Sequence, residues 1–473
     1  MLQPPLPLKS CINAIELLGE NGIDFCKFED SISHSEEYTP QFPHTPHATT
    51  SDSTNPSITD LCCSSRAAVV VVSSLPRCSL VARFFCTKLT HYLRWCDEIA
   101  EFALAGDSLR DFQVKRHEDD PVLWEQYLER ALKELLGRVV PVPKNGHYKI
   151  PVLVLLCDCG STEAYNKLQG MLKERGISLV RHVWFSQTWR EDDLQVGGYI
   201  DVCLEKPAFR VTRCRGSSVC SRITSFLNSC LPTLHHIYRN EPLTGSLEET
   251  LQSCCPFFFT RHGQSEYNLQ DRLGGDPNLT DLGRDDALTI GEFFRDQVAS
   301  NPRLFPMRDR EWDETEGFEV WCSQLKRTRN TAAPSAAVLT NGNLKVFKML
   351  NEIHAGVCED MTNEEVKLLY PCIQLFRHSD KAGFRYPNGE SYYDLKRRLE
   401  PLLMDLNATR KSVLVVAHQA VLRTMLSYFG GQSVEKAVHK PCPHRTVWCC
   451  TYNRLGEPRL TTISLKPRRE SQG

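Results

Sequence analysis

Phe257-Phe258-Phe259-Thr260-Arg261-His262-Gly263 is the stretch whose reading decides the fold. Three consecutive aromatics read as a short strand buried on both faces. Arg-His-Gly follows: a cation, a potential nucleophile and a residue that lets the backbone turn sharply. In an open α/β sheet, ligands sit outside the carboxyl ends of strands. Arg261 and His262 therefore read as site residues, and Asn268 and the flexible Gly274-Gly275-Asp276 loop follow close behind.

Downstream the same grammar repeats. Residues 318–322 read as a strand ending at Ser323-Gln324-Leu325-Lys326-Arg327-Thr328. Residues 345–349 read as a strand ending at Leu350-Asn351-Glu352, and valine-rich 412–417 as one delivering His418. Between them, residues 281–298, 328–338 (interrupted or capped near Pro334), 364–370, 392–407 and 421–429 carry helical patterns. Polar residues 301–316 look like a surface insertion. Taken singly, Arg327 reads as a solvated helix-start residue, Glu352 as a surface acid and His418 as a core histidine. Together, five residues at strand exits converge on one site.

That set suits phosphoryl transfer. Two arginines offer planar forks matched to phosphate oxygens. Their charge disfavours imidazolium, so His262 stays neutral and nucleophilic. A histidine can hold the phosphoryl group covalently. Glu352 is the candidate acid and then base, and His418 a further donor to phosphoryl oxygens. No metal is required.

The whole chain has 473 residues, 41% hydrophobic and 24% charged, as expected of a soluble protein of two or three domains. A net charge of −2 provides no global field for nucleic acid or an anionic membrane. No apolar run approaches the length of a membrane span, and Met1-Leu2-Gln3-Pro4-Pro5 does not open a secretory leader. The 21 cysteines show no Cys-x-x-Cys and no zinc spacing, which fits reduced thiols and a cytoplasmic setting.

Residues 1–65, rich in Ser, Thr, Pro and His, read as a disordered extension apart from a short helix near 12–18. Ala67-Ala68-Val69-Val70-Val71-Val72 reads as a buried strand and 84–102 as a helix. Between Val72 and Phe84 there is neither glycine nor lysine, so the phosphate-cradling loop expected at such a junction is absent. An amphipathic helix over 121–140, with Leu123, Tyr127, Ala131, Leu132 and Leu135 inward, a strand over 150–156 and Asp158 as a helix cap come next. A helix over 163–173 and a strand over 177–185 complete a β–α alternation that predicts a parallel sheet. Residues 222–238 read as helix and 240–248 as connector.

Thr260-Arg261-His262-Gly263 and Ala417-His418-Gln419 resemble the marks of the histidine phosphatase superfamily. Leu273-Gly274-Gly275-Asp276, Ser323-Gln324-Leu325-Lys326-Arg327-Thr328, Leu350-Asn351-Glu352-Ile353 and His418-Gln419-Ala420-Val421-Leu422-Arg423 narrow the resemblance to 6-phosphofructo-2-kinase/fructose-2,6-bisphosphatases. It covers residues 257 to about 450. It implies two α/β domains with mostly parallel sheets. Residues 66–250 would be a degenerate P-loop-kinase-like domain, and 251–473 a phosphoglycerate-mutase-like histidine phosphatase domain.

The implied reaction is hydrolysis of the 2-phosphate of fructose 2,6-bisphosphate to fructose 6-phosphate and phosphate, in control of glycolysis and gluconeogenesis. His262 would be the nucleophile and Glu352 the acid/base. Arg261, Arg327 and His418 would hold the 2-phosphate, with Asn268 and Gly274 lining the pocket. Arg377, Lys381, Arg385, Tyr392, Gln419 and Arg423 would bind the sugar and the 6-phosphate. The phosphatase needs no cofactor; ATP and Mg would enter only with an active kinase-like domain. A weaker likeness to the kinase half runs through Ser74-Leu75-Pro76 and 87–95, with Asp158 at a Mg-associated position, and implies a homo- or heterodimer through that domain. Gln264, His354 and Asn363 depart from the family pattern, which has Glu, Asp and Tyr there. Protonation of His354 is expected to hold Glu352 ionised. The alternative readings are a bifunctional enzyme that keeps its kinase, and a weakly active protein that binds sugar phosphates or a partner.

Overall fold

The computed structural model describes residues 67–96, 101–104, 120–137, 151–157, 162–189, 199–206, 208–211, 218–240, 256–300, 317–453 and 456–467. The N-terminal extension, Asp158, the expected insertion over 301–316 and the 240–248 connector lie wholly or almost wholly outside them. No helix among the described residues is long and apolar enough to cross a membrane.

The first sheet is built from β1 (Ala67–Ser74), β2 (Glu101–Leu104), β3 (Pro151–Leu156), β4 (Ile177–Ser186), β5 (Tyr199–Cys203) and β6 (Ala208–Val211), in the order β2-β3-β1-β4-β5-β6. All pairings are parallel except β5 with β6. The valine run of β1 is fully buried because its alternate residues enter two apolar clusters on opposite faces. The following helix spans Ser79–Cys96 rather than 84–102, and Glu101 and Phe102 belong to β2. The helix Pro121–Gly137 buries Trp124, Leu128, Ala131, Leu132 and Leu135, whereas Leu123 is 54% exposed. The expected stripe was therefore one position out at its start. Strands β5 and β6, only five and four residues long, are too short to show a pattern in the sequence.

The second sheet is built from β7 (Phe257–Arg261), β8 (Phe318–Cys322), β9 (Lys345–Val346), β10 (Ser412–Ala417), β11 (Thr446–Tyr452) and β12 (Pro458–Ser464). Its order is β12-β11-β7-β10-β8-β9; β9, β8, β10 and β7 are parallel, and β11 and β12 are antiparallel additions. Phe257 and Phe259 enter the apolar cluster on one face of β7, and Phe258 the cluster on the other. Pro334 lies inside the unbroken helix Lys326–Leu339, and the helix Pro371–Ser379 adds a turn-rich element that periodicity did not show. Beyond Val346, a 3-10 turn over Lys348–Leu350 replaces the rest of the expected strand.

One apolar layer serves both sheets. Helices Ser79–Cys96 and Ser218–Asn240 share a buried cluster with helices Tyr392–Ala408 and Gln419–Phe429. Trp95 Nε1 donates to Ser427 Oγ at 3.0 Å, and Tyr92 Oη to Glu400 Oε1 at 2.7 Å. The Lys88 ammonium lies 4.1 Å from the Tyr452 ring centre.

Candidate active site

The carboxyl ends of β7, β10 and β8 lie side by side. Ala417 is paired with Arg261, Val416 with Cys322, and the His262 amide donates to Ala417 O at 3.0 Å. This register brings the His262 and His418 rings within 5.1 Å, centre to centre. His262, Arg327 and His418 are 3%, 4% and 0% exposed.

Each side chain is held by its own local device. His262 Nδ1 lies 2.7 Å from Gly263 O; a carbonyl only accepts, so Nδ1 carries the proton and Nε2 keeps its lone pair. Gly263 is required by close approach, since a Cβ there would meet Gly283 O at 2.2 Å. Arg261 Nη1 donates to Cys442 O at 3.1 Å and Gln419 Oε1 at 3.3 Å, while its buried Nε has no hydrogen-bond partner among the described residues. Arg327 Nη1 donates to Gly275 O at 2.7 Å. That loop turns through Gly274 at φ +64° and Gly275 at +59°, and a Cβ on Gly274 would overlap the Glu359 carboxylate. Glu352 Oε1 accepts from the amides of Ile353 at 3.0 Å and Ala420 at 3.2 Å, at the start of the helix that follows His418.

Burial first of all holds both histidines well below the ordinary imidazole pKa; next come His418, Arg327 and Arg261 for His262, and Arg327, Arg261 and Arg398 for His418. Both rings are neutral, chiefly through burial rather than through the arginine charges expected from the sequence.

Lys381, Arg377 and Arg423 form a further cationic group, and the Arg423 charge also acts on Arg261. Lys381 is pushed down to about 8 by burial and by Arg423 and Arg377. Arg423 Nη1 donates to Tyr392 Oη at 3.2 Å, and the Arg377 guanidinium lies 5.6 Å from the Tyr386 ring centre. Arg385 is paired with Asp394. Asn268 is committed to a capping box with Ser265, its Oδ1 accepting from the Ser265 amide at 3.0 Å.

The three departing positions have local partners. Gln264 Oε1 accepts from Thr280 Oγ1 at 3.0 Å, and Asn363 Nδ2 donates to both Asp271 oxygens at 2.9 Å. His354 is exposed, and its Nδ1 accepts from the Gly356 amide at 3.1 Å.

Several supports escaped sequence reasoning. Arg398 donates to Met349 O and Asn351 O at 2.7 and 2.9 Å and is paired with Glu390, clamping the segment that carries Glu352. His444 Nδ1 donates to His262 O at 2.7 Å. Arg445, at φ +50°, is paired with Asp286, which accepts from the Gln264 amide at 3.0 Å. A Pro-His-Arg run ahead of a strand was the available signal, but nothing local joins it to β7.

A model of the histidine phosphatase superfamily (branch 1) matches residues 257–463. Over 190 residues the chain is 41% identical to 6-phosphofructo-2-kinase/fructose-2,6-bisphosphatase 4 of Homo sapiens, covering 40% of this chain and 36% of that one. It is 40% identical to the 6-phosphofructo-2-kinase/fructose-2,6-bisphosphatase of Gallus gallus over the same shares. The match thus spans little more than a third of these relatives' length. A solved structure, a putative alpha-ribazole-5'-P phosphatase from Escherichia coli, aligns at 20% identity with a TM-score of 0.36, over 46% of this chain and 97% of that one. With the paired histidines, the two arginines and the glutamate in place, the region from 257 to 463 resembles the histidine phosphatase superfamily (branch 1).

Proposed function

We propose that this domain hydrolyses the 2-phosphate of fructose 2,6-bisphosphate through a phosphohistidine. The observation that carries the reading is the bare Nε2 of a His262 kept neutral chiefly by burial, beside His418, with Arg261 and Arg327 close enough to add their charge. Nε2 attacks phosphorus; the N–P bond forms as the P–O bond to the sugar breaks, and the leaving oxygen takes a proton from Glu352. Water, giving its proton back to Glu352, then displaces phosphate from His262. Arg261, Arg327 and His418 stabilise the charge spread over the phosphoryl oxygens. Arg377, Lys381, Tyr392, Gln419 and Arg423 supply the cations and donors for the sugar and the second phosphate; Arg385, Asn268 and Gly274 complete the pocket wall. The names of the relatives and the additional cations Arg377, Lys381 and Arg423 support a bisphosphorylated sugar.

Residues 66–250 are assigned as a kinase-like unit without kinase activity, and 251–473 as the phosphatase unit. β1 passes to its helix through Leu75 and one 3-10 turn, Pro76–Cys78, and the Leu75 amide donates to Phe185 O at 3.0 Å. This tight junction offers no glycine-rich loop to wrap the phosphates of ATP.

The test is brief incubation with substrate labelled at the 2-phosphate, followed by alkaline quench. Acid-labile label should appear on the native protein and not on His262→Ala. Label on the variant, or an active native enzyme that carries none, overturns the histidine route.

A further inference from the structure

Ser323 stands at the exit of β8, fully buried, and its hydroxyl oxygen has three polar neighbours. The Leu325 amide donates to it at 3.1 Å; Thr328 Oγ1 lies 2.6 Å away and His418 Nε2 2.8 Å away. The protons in this group can be counted. Thr328 has one hydroxyl proton and three acceptors in reach: Ser323 Oγ at 2.6 Å, Leu325 O at 2.8 Å and Ser323 O at 3.2 Å. Leu325 O already accepts the amides of Thr328 and Arg329, at 3.0 and 3.2 Å, which occupy both its lone pairs. The Thr328 proton therefore goes to its nearest acceptor, Ser323 Oγ. With the Leu325 amide and Thr328 filling both lone pairs of that oxygen, Ser323's own proton has one acceptor left, His418 Nε2. The neutral imidazole then carries its proton on Nδ1. His418 Nδ1 is buried and has no hydrogen-bond partner among the described residues.

We propose that Ser323, primed by Thr328, is a positioning residue that fixes His418 in the Nδ1–H tautomer, leaving one buried, unspent donor for an oxygen of the phosphoryl group that moves on and off His262. The oxygen assigned to that donor rests on the phosphohistidine reading; the tautomer is a property of the unliganded protein. The two rings are thereby held in opposite tautomers. His262 gives Nδ1–H to Gly263 O and keeps Nε2 bare for attack. His418 accepts at Nε2 and keeps Nδ1–H to donate. The reverse tautomer of His418 would aim a lone pair at a phosphate oxygen.

The experiment is long-range 1H–15N correlation of the full chain labelled with 15N-histidine, with the His418 signals assigned by their loss in His418→Gln. The expected result is a protonated Nδ1 and a bare Nε2 on His418 in the native, unliganded protein; a protonated Nε2 overturns the proposal. Ser323→Ala should mix or reverse the tautomer and lower kcat by about 10–100-fold, by analogy with the loss of the partner that orients a metal-bound histidine. Thr328→Val should do the same more weakly, and Thr328→Ser should regain most of the difference. Loss of kcat in Ser323→Ala with the Nδ1–H signals intact would also overturn it. If the native tautomer is as stated but an active native enzyme carries no phosphohistidine, the functional reading falls and the tautomer stands.

Discussion

At the carboxyl end of β1 the chain turns into its helix through a single 3-10 turn, and the Leu75 amide prolongs the pairing with β4; Ser73 Oγ and His182 Nε2 meet at 2.8 Å. At the carboxyl end of β7 the chain breaks at Gly263, and the groups gathered there leave Arg261 Nε and His418 Nδ1 buried without hydrogen-bond partners among the described residues. Both sheets are mostly parallel and both put a serine against a buried histidine at a strand end. The difference lies in what surrounds the pair. In the first sheet the β1–β4 pairing runs on through Leu75; in the second, two arginines and two histidines are desolvated together. Unmet buried polar groups cost stability unless a ligand completes them. Two sheets of like architecture thus end in unlike surroundings, and function is argued from the site rather than from the fold.

The largest contrast is in activity. The full chain should release phosphate from fructose 2,6-bisphosphate, while formation of that compound from ATP and fructose 6-phosphate stays at background; robust formation would erase the difference between the two edges. Within the second edge, Arg327→Lys should lower kcat/KM by about 100-fold, since an ammonium cannot reproduce a guanidinium fork on a phosphoryl group. Steady-state kinetics with less than a tenfold change would mean that Arg327 only braces Gly275.

Packing should link the two regions. Trp95 is 5% exposed and donates to Ser427 in the helix that starts just after His418. Trp95→Ala should destabilise the phosphatase domain by about 3–5 kcal/mol, the usual cost of removing a buried tryptophan. Urea unfolding followed by phosphatase activity reads this directly, and an unchanged midpoint would uncouple the sheets.

The neutral histidines set a pH dependence. Below about pH 6.5 the unfolded chain protonates its histidines, whereas buried His262 and His418 do not, so the unfolded state binds more protons and stability falls as pH falls. The slope approaches about 1.4 kcal/mol per pH unit for each histidine just below that range and vanishes above it. Thermal melts of the native protein and of His262→Gln/His418→Gln between about pH 5 and 8 should show a shallower loss in the double variant; parallel curves would place the loss elsewhere.

The smallest effect is expected at His354. Its imidazole is exposed and turned to the Gly356 amide, while Glu352 is held by the amides of Ile353 and Ala420. Screening by water leaves little coupling at such a position. Single-turnover profiles of the native enzyme and His354→Asp should coincide within about twofold; a clear acid-side gain in the variant would restore the electrostatic link suggested by their nearness in sequence.

Local pattern alone was enough to single out the two histidine-bearing strand ends. Aromatic and valine runs bounded by Arg-His-Gly and Ala-His-Gln placed His262 and His418 directly after strands, because burial and β-branching are written into a few consecutive residues; Arg327 instead lies in the first turn of a helix, and Glu352 follows a 3-10 turn rather than a strand. Local pattern also showed the missing glycine and lysine after β1. Tertiary structure decided the rest. The pairing of Ala417 with Arg261 sets the distance between the histidines, and the Arg398–Glu390 clamp sets the Glu352 segment. The His444 bond to His262 O joins residues 182 positions apart. Strand order and the proton on His418 follow the same rule. They depend on which distant backbone lies alongside, and that is settled by packing two apolar faces at once rather than by any short run of residues.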